Sequence, residues 1–82
     1  MNEYLITFRS VTAAQRAPAL LRRHAIPAAM QRTPKALAQR GCSYSLAVGA
    51  VEEAAVLLRG HGAAFGSVFR LLPDGTAGEV VV

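Results

Sequence analysis

Residues 4–27 read YLITFRSVTAAQRAPALLRRHAIP, and this stretch decides the fold because its pattern changes partway along. Residues 4–8 are rich in β-branched and aromatic side chains with alternating bulk, which predicts a strand. Ser10 is then a candidate N-cap, and Val11–His24 carries its small and apolar residues on one broad face, which predicts a helix. Pro18 disfavours a helix, but the periodic pattern outweighs one breaker.

The rest of the chain continues with similar signals. They predict strands at Ala28–Arg32, Tyr44–Val48 and Gly66–Leu72, a helix at Val51–Arg59 and a short turn at 33–39. This order is that of the ferredoxin-like βαββαβ sandwich, an α+β fold with two helices on one face of an antiparallel sheet. We expect residues 1–82 to form a single domain. Its core would span 3–72, with 73–82 as a tail or a short extra edge strand.

Charge and composition narrow the classes of function. Eight Arg and one Lys stand against five acids, giving a formal charge of +4, which indicates an anionic partner or serves only solubility. No signal peptide or membrane-spanning stretch is evident, and a single Cys cannot form an internal disulfide. These features predict a cytoplasmic protein without membrane association.

RNA-recognition modules share this fold and stack bases on aromatic side chains of the central strands. The aromatic residues here, Tyr4, Phe8 and Tyr44, fall on the more apolar face, which we assign to the core beneath the helices. The opposite face would carry no stacking platform, so nucleic-acid binding is not favoured, although this mildly apolar face could pair with a second subunit. Its residues would be Leu5, Thr7, Ser43, Ser45 and Ala47.

The sequence lacks the residue patterns that are typical of a metal site or of hydrolytic catalysis. One Cys and two His far apart, His24 and His61, do not have metal-ligand spacing, so no metal site is predicted. No Ser/His/Asp set or carboxylate pair indicates hydrolysis. We therefore predict neither an enzyme nor a cofactor.

The predicted topology gives the one cysteine a particular setting. Cys42 precedes a strand, at the same end of the domain as the N-terminus of the first helix and the loop at 60–64. A thiol near a helix N-terminus and Arg side chains has a lowered pKa and is more reactive, whereas a lone buried Cys serves as a small apolar residue. Both interpretations remain open at this point. The basic residues expected at this end are Arg9, Arg32, Lys35 and Arg40, with His61 as a further candidate.

Three segments of the sequence resemble those of a known family: YLITFRSVTAAQRAPALLRRHAIP, TPKALAQRGCSYSLAV and SVFRL. In this order and spacing, over residues 3–72, the chain resembles the selenium/sulfur carrier protein-like family, a group of small, largely uncharacterised prokaryotic domains. The resemblance implies a carrier that holds sulfur or selenium on Cys42 as a persulfide or selenopersulfide. Donor and acceptor proteins would be its partners.

Carried over to this sequence, the resemblance assigns the chemical role to Cys42. Thr33 and Pro34 match the family's residues in the segment that leads to this cysteine. Ser43 stands where the family commonly has Gly, which bears on access to the thiol. The alternative is a small dimerising interaction or regulatory module in which the Cys is inert. The residues predicted to surround the sulfur atom are Arg9, Ser10, Thr33, Pro34, Arg40 and Gly41.

Overall fold

The computed structural model describes residues 4–35, 37, 44–63 and 65–82. Within these ranges the chain has two helices and five strands, and neither helix is long and apolar enough to cross a membrane. The elements are β1 (Tyr4–Phe8), α1 (Val11–Arg23), β2 (Ala28–Arg32), β3 (Tyr44–Val48), α2 (Val51–Gly60), β4 (Val68–Leu71) and β5 (Ala77–Val80).

All neighbouring strands in the sheet are antiparallel, and their order is β2-β3-β1-β4-β5. The α+β class and the antiparallel sheet are thus confirmed. The predicted βαββαβ order is not matched, because β5 follows β4 and makes a fifth strand.

The fifth strand forms because a tight turn reverses the chain after β4. The carboxylate of Asp74 accepts hydrogen bonds from the Thr76 hydroxyl at 2.6 Å and the Thr76 backbone N–H at 3.0 Å. The hydroxyl bond is the main cause that lowers the pKa of Asp74. Gly75 adopts φ +88°, a conformation that favours glycine. Residues 77–80 can then pair with β4 as an edge strand, one of the two alternatives expected for residues 73–82.

Strand β4 begins two residues later than expected, at Val68. The N–H of Gly66 donates to the Thr7 carbonyl at 2.7 Å, and the N–H of Thr7 donates to the Ser67 carbonyl at 2.8 Å. Two residues before β4 therefore lie opposite one residue of β1, which is the arrangement of a β-bulge.

Both helices pack on the same face of the sheet, as predicted. Helix α1 continues through Pro18, which is buried, so the periodic pattern did outweigh the breaker. One buried cluster joins the strands to the helices and forms the core. Its members include Ile6, Phe8, Leu46, Val48 and Val68 from the strands and Ala14, Ala17, Leu20, Leu21, Val51, Ala54 and Leu58 from the helices.

The opposite face of the sheet is less accessible than the sequence suggested. Leu5 and Ser45 are 0% exposed, and Thr7 and Ala47 are also buried. Since the monomer already buries these four side chains, they do not offer the accessible apolar face expected for pairing with a second subunit.

The two helices end in the same way. After α1, the N–H of Ile26 donates to the Leu21 carbonyl and the N–H of Ala25 to the Arg22 carbonyl. After α2, the N–H of Ala63 donates to the Leu58 carbonyl and the N–H of Gly62 to the Arg59 carbonyl. This pair of bonds defines a Schellman motif, and in each case the residue before the last donor has positive φ, Ala25 at +59° and Gly62 at +71°. The C-cap residues are His24 and His61.

Candidate functional site

The candidate site lies where three strands and one helix meet at one end of the sheet. Tyr44, the first residue of β3, is opposite both Phe8, the last residue of β1, and Arg32, the last residue of β2. Helix α1 begins three residues after β1. The predicted site residues Arg9, Ser10, Thr33 and Pro34 are therefore all at this end, directly after β1 or β2.

Ser10 begins helix α1. It has the extended conformation of an N-cap, with φ −104° and ψ 126°, and its Oγ accepts a hydrogen bond from the Ala13 N–H at 3.3 Å. The prediction of an N-cap is thus confirmed. The same hydroxyl is predicted to help surround a sulfur anion, and its O–H group remains a donor while Oγ accepts from the Ala13 N–H. The free N–H groups of the first helical turn remain as donors that favour a negative charge.

Thr33 and Pro34 leave β2 and open the loop towards position 42. The Pro34 carbonyl accepts a hydrogen bond from the Leu37 N–H at 2.8 Å, so a turn starts at Pro34, as expected. The Thr33 side chain is 9% exposed, and its Oγ1 has no hydrogen-bond partner among the residues that the structure describes. A buried hydroxyl without a partner is unfavourable, so with respect to the described residues Thr33 Oγ1 is a candidate hydrogen-bond donor at this end of the sheet.

The remaining predicted residues, Arg40, Gly41 and Cys42, lie outside the described residues. In the sequence, Cys42 is two positions before β3. Three basic side chains of the flanking segments, Arg9, Arg32 and Lys35, are exposed at the end of the sheet where β3 begins. This end thus combines exposed positive charge with the N-terminus of α1.

Two further hydroxyl groups in this part of the sheet, those of Thr7 and Ser45, were assigned from the sequence to the outer sheet face and were given no role in the site. Thr7 Oγ1 donates to the Ser67 carbonyl at 3.1 Å and accepts from the Ser67 N–H at 2.8 Å, which fixes the bulge before β4. Ser45 is opposite Thr7 in β3, and its buried Oγ has no partner within the described segments. A Thr or Ser in a strand is common, so the sequence carries no signal that separates these two from exposed hydroxyl residues.

The two histidines correct an expectation from the sequence. They were treated as distant, and His61 was considered as a further basic group near the N-terminus of α1. Instead, the ring of His61 lies 6.0 Å from that of His24, centroid to centroid, beside the C-cap of α1. The reason is that α1 and α2 pack into one core, which brings these two side chains together although they are far apart along the chain.

Comparison with known proteins gives one match. No curated protein and no solved structure matches the chain. The model of the family described as "Putative Se/S carrier protein-like" matches residues 3–69, which include Cys42 and all the other predicted site residues. The match covers most of the 82 residues and agrees with the resemblance carried by the three sequence segments. The chain therefore belongs to this family of selenium/sulfur carrier-like proteins.

Proposed function

We propose that this protein is a non-enzymatic carrier that receives a sulfur or selenium atom on Cys42 and passes it to a partner protein. The observation that carries the proposal is the family match over residues 3–69, within which Cys42 is the only thiol. The thiolate of a cysteine is the nucleophile that accepts sulfane sulfur. A reducing compartment keeps such a thiol free, so we also propose a cytoplasmic location in a prokaryotic cell.

The transfer itself needs no oxidant or reductant. The Cys42 thiolate attacks the terminal sulfur of a persulfide on a donor protein, forming a new S–S bond. The donor's own S–S bond breaks, and the donor leaves as a thiolate with the electron pair of that bond. An acceptor nucleophile then attacks the same terminal atom and restores the Cys42 thiolate. Selenium follows the same steps from a donor selenopersulfide.

The described residues around this position support an anionic cargo. The exposed cations Arg9, Arg32 and Lys35 and the first turn of α1 lie at the end of the sheet where β3 begins. A persulfide is more acidic than a thiol and is an anion near neutral pH, so positive charge there would stabilise it. Arg40 and Gly41 are proposed as further contacts of the terminal sulfur.

We infer in addition that the strands β2-β3-β1-β4 form a ferredoxin-like sheet to which β5 is added. In this frame, β2 ends and β3 begins at the same end of the sheet, and we propose that donor and acceptor proteins bind at this end.

The test is sulfur loading by a cysteine desulfurase with free cysteine as the source, followed by intact-mass spectrometry under non-reducing conditions. We expect wild-type protein to gain the mass of one sulfur atom and Cys42→Ser to gain none. Wild-type protein whose thiol has been alkylated before loading is the matched control without a substitution, and it too should gain none. A Cys42→Ser protein that still carries sulfur would sink the proposal.

The same experiment separates the carrier from the alternative of a dimerising interaction module with an inert cysteine. If wild-type protein gains neither sulfur from the desulfurase nor selenium from a donor protein that already carries a selenopersulfide, the carrier proposal is wrong. A thiol pKa at or above the free value of about 8.5 would then favour the inert cysteine.

A further inference from the structure

The geometry points to a binding site for one divalent transition-metal ion between His24 and His61, and we propose that these two side chains hold it. They are the only histidines in the chain, and their rings lie 6.0 Å apart, inclined by 58°. Nothing in the carrier proposal uses them, and they lie beside the C-terminus of α1, the end opposite Ser10.

The distance suits two imidazoles on one ion. A zinc–nitrogen bond is about 2.0–2.1 Å long, so two rings bound to one tetrahedral ion have centroids roughly 5 Å apart. The observed separation of 6.0 Å exceeds this value by about 1 Å, which a small side-chain movement can close. Both side chains are exposed, so rotation about their side-chain bonds can aim one nitrogen of each ring at a common point without disturbing the core.

The backbone holds both histidines in equivalent positions. Each is the C-cap of its helix and is followed by the two reverse hydrogen bonds of a Schellman motif. Such an end is fixed more firmly than a loop, so little ordering is needed when an ion binds. Each histidine also lies at the C-terminus of its own helix, where the negative end of that helix dipole favours a cation.

The charges nearby are mixed. Glu52, Glu53 and His24 line one groove of about 530 Å³, whereas Arg22 and Arg23 occupy the last turn of α1 and Arg59 that of α2. The two carboxylates offset part of the repulsion that the three arginines exert on a cation. Within the described residues, no group of three or more His, Cys, Asp or Glu side chains could hold a metal. The ion would therefore have two protein ligands, with water at its other positions.

These properties select the class of metal. Neutral imidazole suits zinc, nickel and copper, whereas calcium and magnesium prefer oxygen ligands. An imidazole binds a metal through an unprotonated nitrogen, so protons and the ion compete for the same sites.

The test uses the full chain carrying Cys42→Ser, so that the thiol cannot contribute and the result is independent of the carrier proposal. Zinc chloride is titrated into it by calorimetry at neutral pH. We expect one ion per chain, and we expect His24→Gln and His61→Gln each to weaken binding by at least about tenfold, since each removes one of two protein ligands. Arg23→Gln, at an exposed neighbour in α1, is the matched control and should bind at least as well.

A second readout identifies the ligands directly. In long-range ¹H–¹⁵N spectra of the imidazoles, both histidines should shift together as zinc is added, because one ion contacts both rings. The proposal is overturned if the Cys42→Ser protein binds no zinc at millimolar concentration. It is equally overturned if a histidine variant binds as well as its parent, or if one ion joins two chains.

Discussion

The two halves of the domain repeat one βα unit, but the ends of their helices are stabilised by different residues. Strands β1 and β3 both begin with Tyr, at positions 4 and 44, and helices α1 and α2 both begin with Val, at 11 and 51. The halves close with LRRHA at 21–25 and LRGHG at 58–62, although α1 has 13 residues and α2 has 10. The common backbone is therefore compatible with different side chains at each helix end.

The differences lie where backbone groups need partners. Helix α1 has a serine N-cap and no acidic residue in its first turn, whereas α2 has Ala50 at its N-cap and two acids, Glu52 and Glu53, in its first turn. The left-handed residue after the helix is Ala25 in the first half and Gly62 in the second. In the first half, the residue at the N-terminal end of the helix suits its conformation and the residue at the C-terminal end does not. In the second half the reverse holds.

The largest expected effect comes from the hydroxyls that lie opposite each other in β1 and β3. Thr7→Val keeps the shape of the side chain but removes both of its hydrogen bonds to Ser67, leaving a backbone N–H without its partner. We expect unfolding free energy to fall by about 1–3 kcal/mol. Urea denaturation followed by circular dichroism measures the change.

Ser45→Ala is the matched variant in the other half. The Ser45 hydroxyl is buried without a partner in the described part of the chain, so its removal should leave stability unchanged or raise it by up to about 1 kcal/mol. If Thr7→Val and Ser45→Ala destabilise the protein equally, the two hydroxyls do not differ in the way that the hydrogen bonds indicate.

The sequence predicted most of the elements because their signals are local. The periodicity of Val11–His24 survived Pro18, and alternation located β1 and β3. The late start of β4 was missed, since it depends on hydrogen bonds between Thr7 and Gly66 and Ser67, roughly sixty positions away. The edge strand β5 was left as one of two alternatives, because AGEV is too short and polar to predict a strand by itself.

For the candidate site, the sequence placed four residues at one end of the sheet, and the strand register agrees. Ser10 was recognised as an N-cap from its position alone. The burial of Thr33 and the approach of His61 to His24 could not be predicted, because both depend on how separate elements pack. Chemistry at position 42 rests on family membership and stays a prediction.

The C-terminal ends of the helices give the second test of the comparison. Ala25 has φ +59°, where an L-residue is strained, so Ala25→Gly should stabilise the protein by about 0.5–1 kcal/mol. Gly62→Ala is its mirror and should destabilise by about 1 kcal/mol, because an added Cβ meets no heavy atom within 4 Å and only the backbone conformation opposes it. Thermal unfolding of both variants beside wild type measures the pair. Shifts of the same sign would show that the two ends are not equivalent.

The N-terminal ends should give the smallest effect. Ser10→Ala removes the bond from the Ala13 N–H and should cost about 0.5–1 kcal/mol, the lower part of the usual range, since the bond is 3.3 Å long and exposed. Ala50→Ser should gain less than about 0.5 kcal/mol, because ψ at Ala50 is 70° and not in the extended range that aims a capping oxygen at the helix. The acids in the first turn of α2 already favour its dipole, which further reduces what a new cap can add. Chemical denaturation of both variants in low and high salt checks this account. A gain from Ala50→Ser as large as the loss from Ser10→Ala would mean that α2 lacks only a hydroxyl, and that its backbone already has the geometry of a cap.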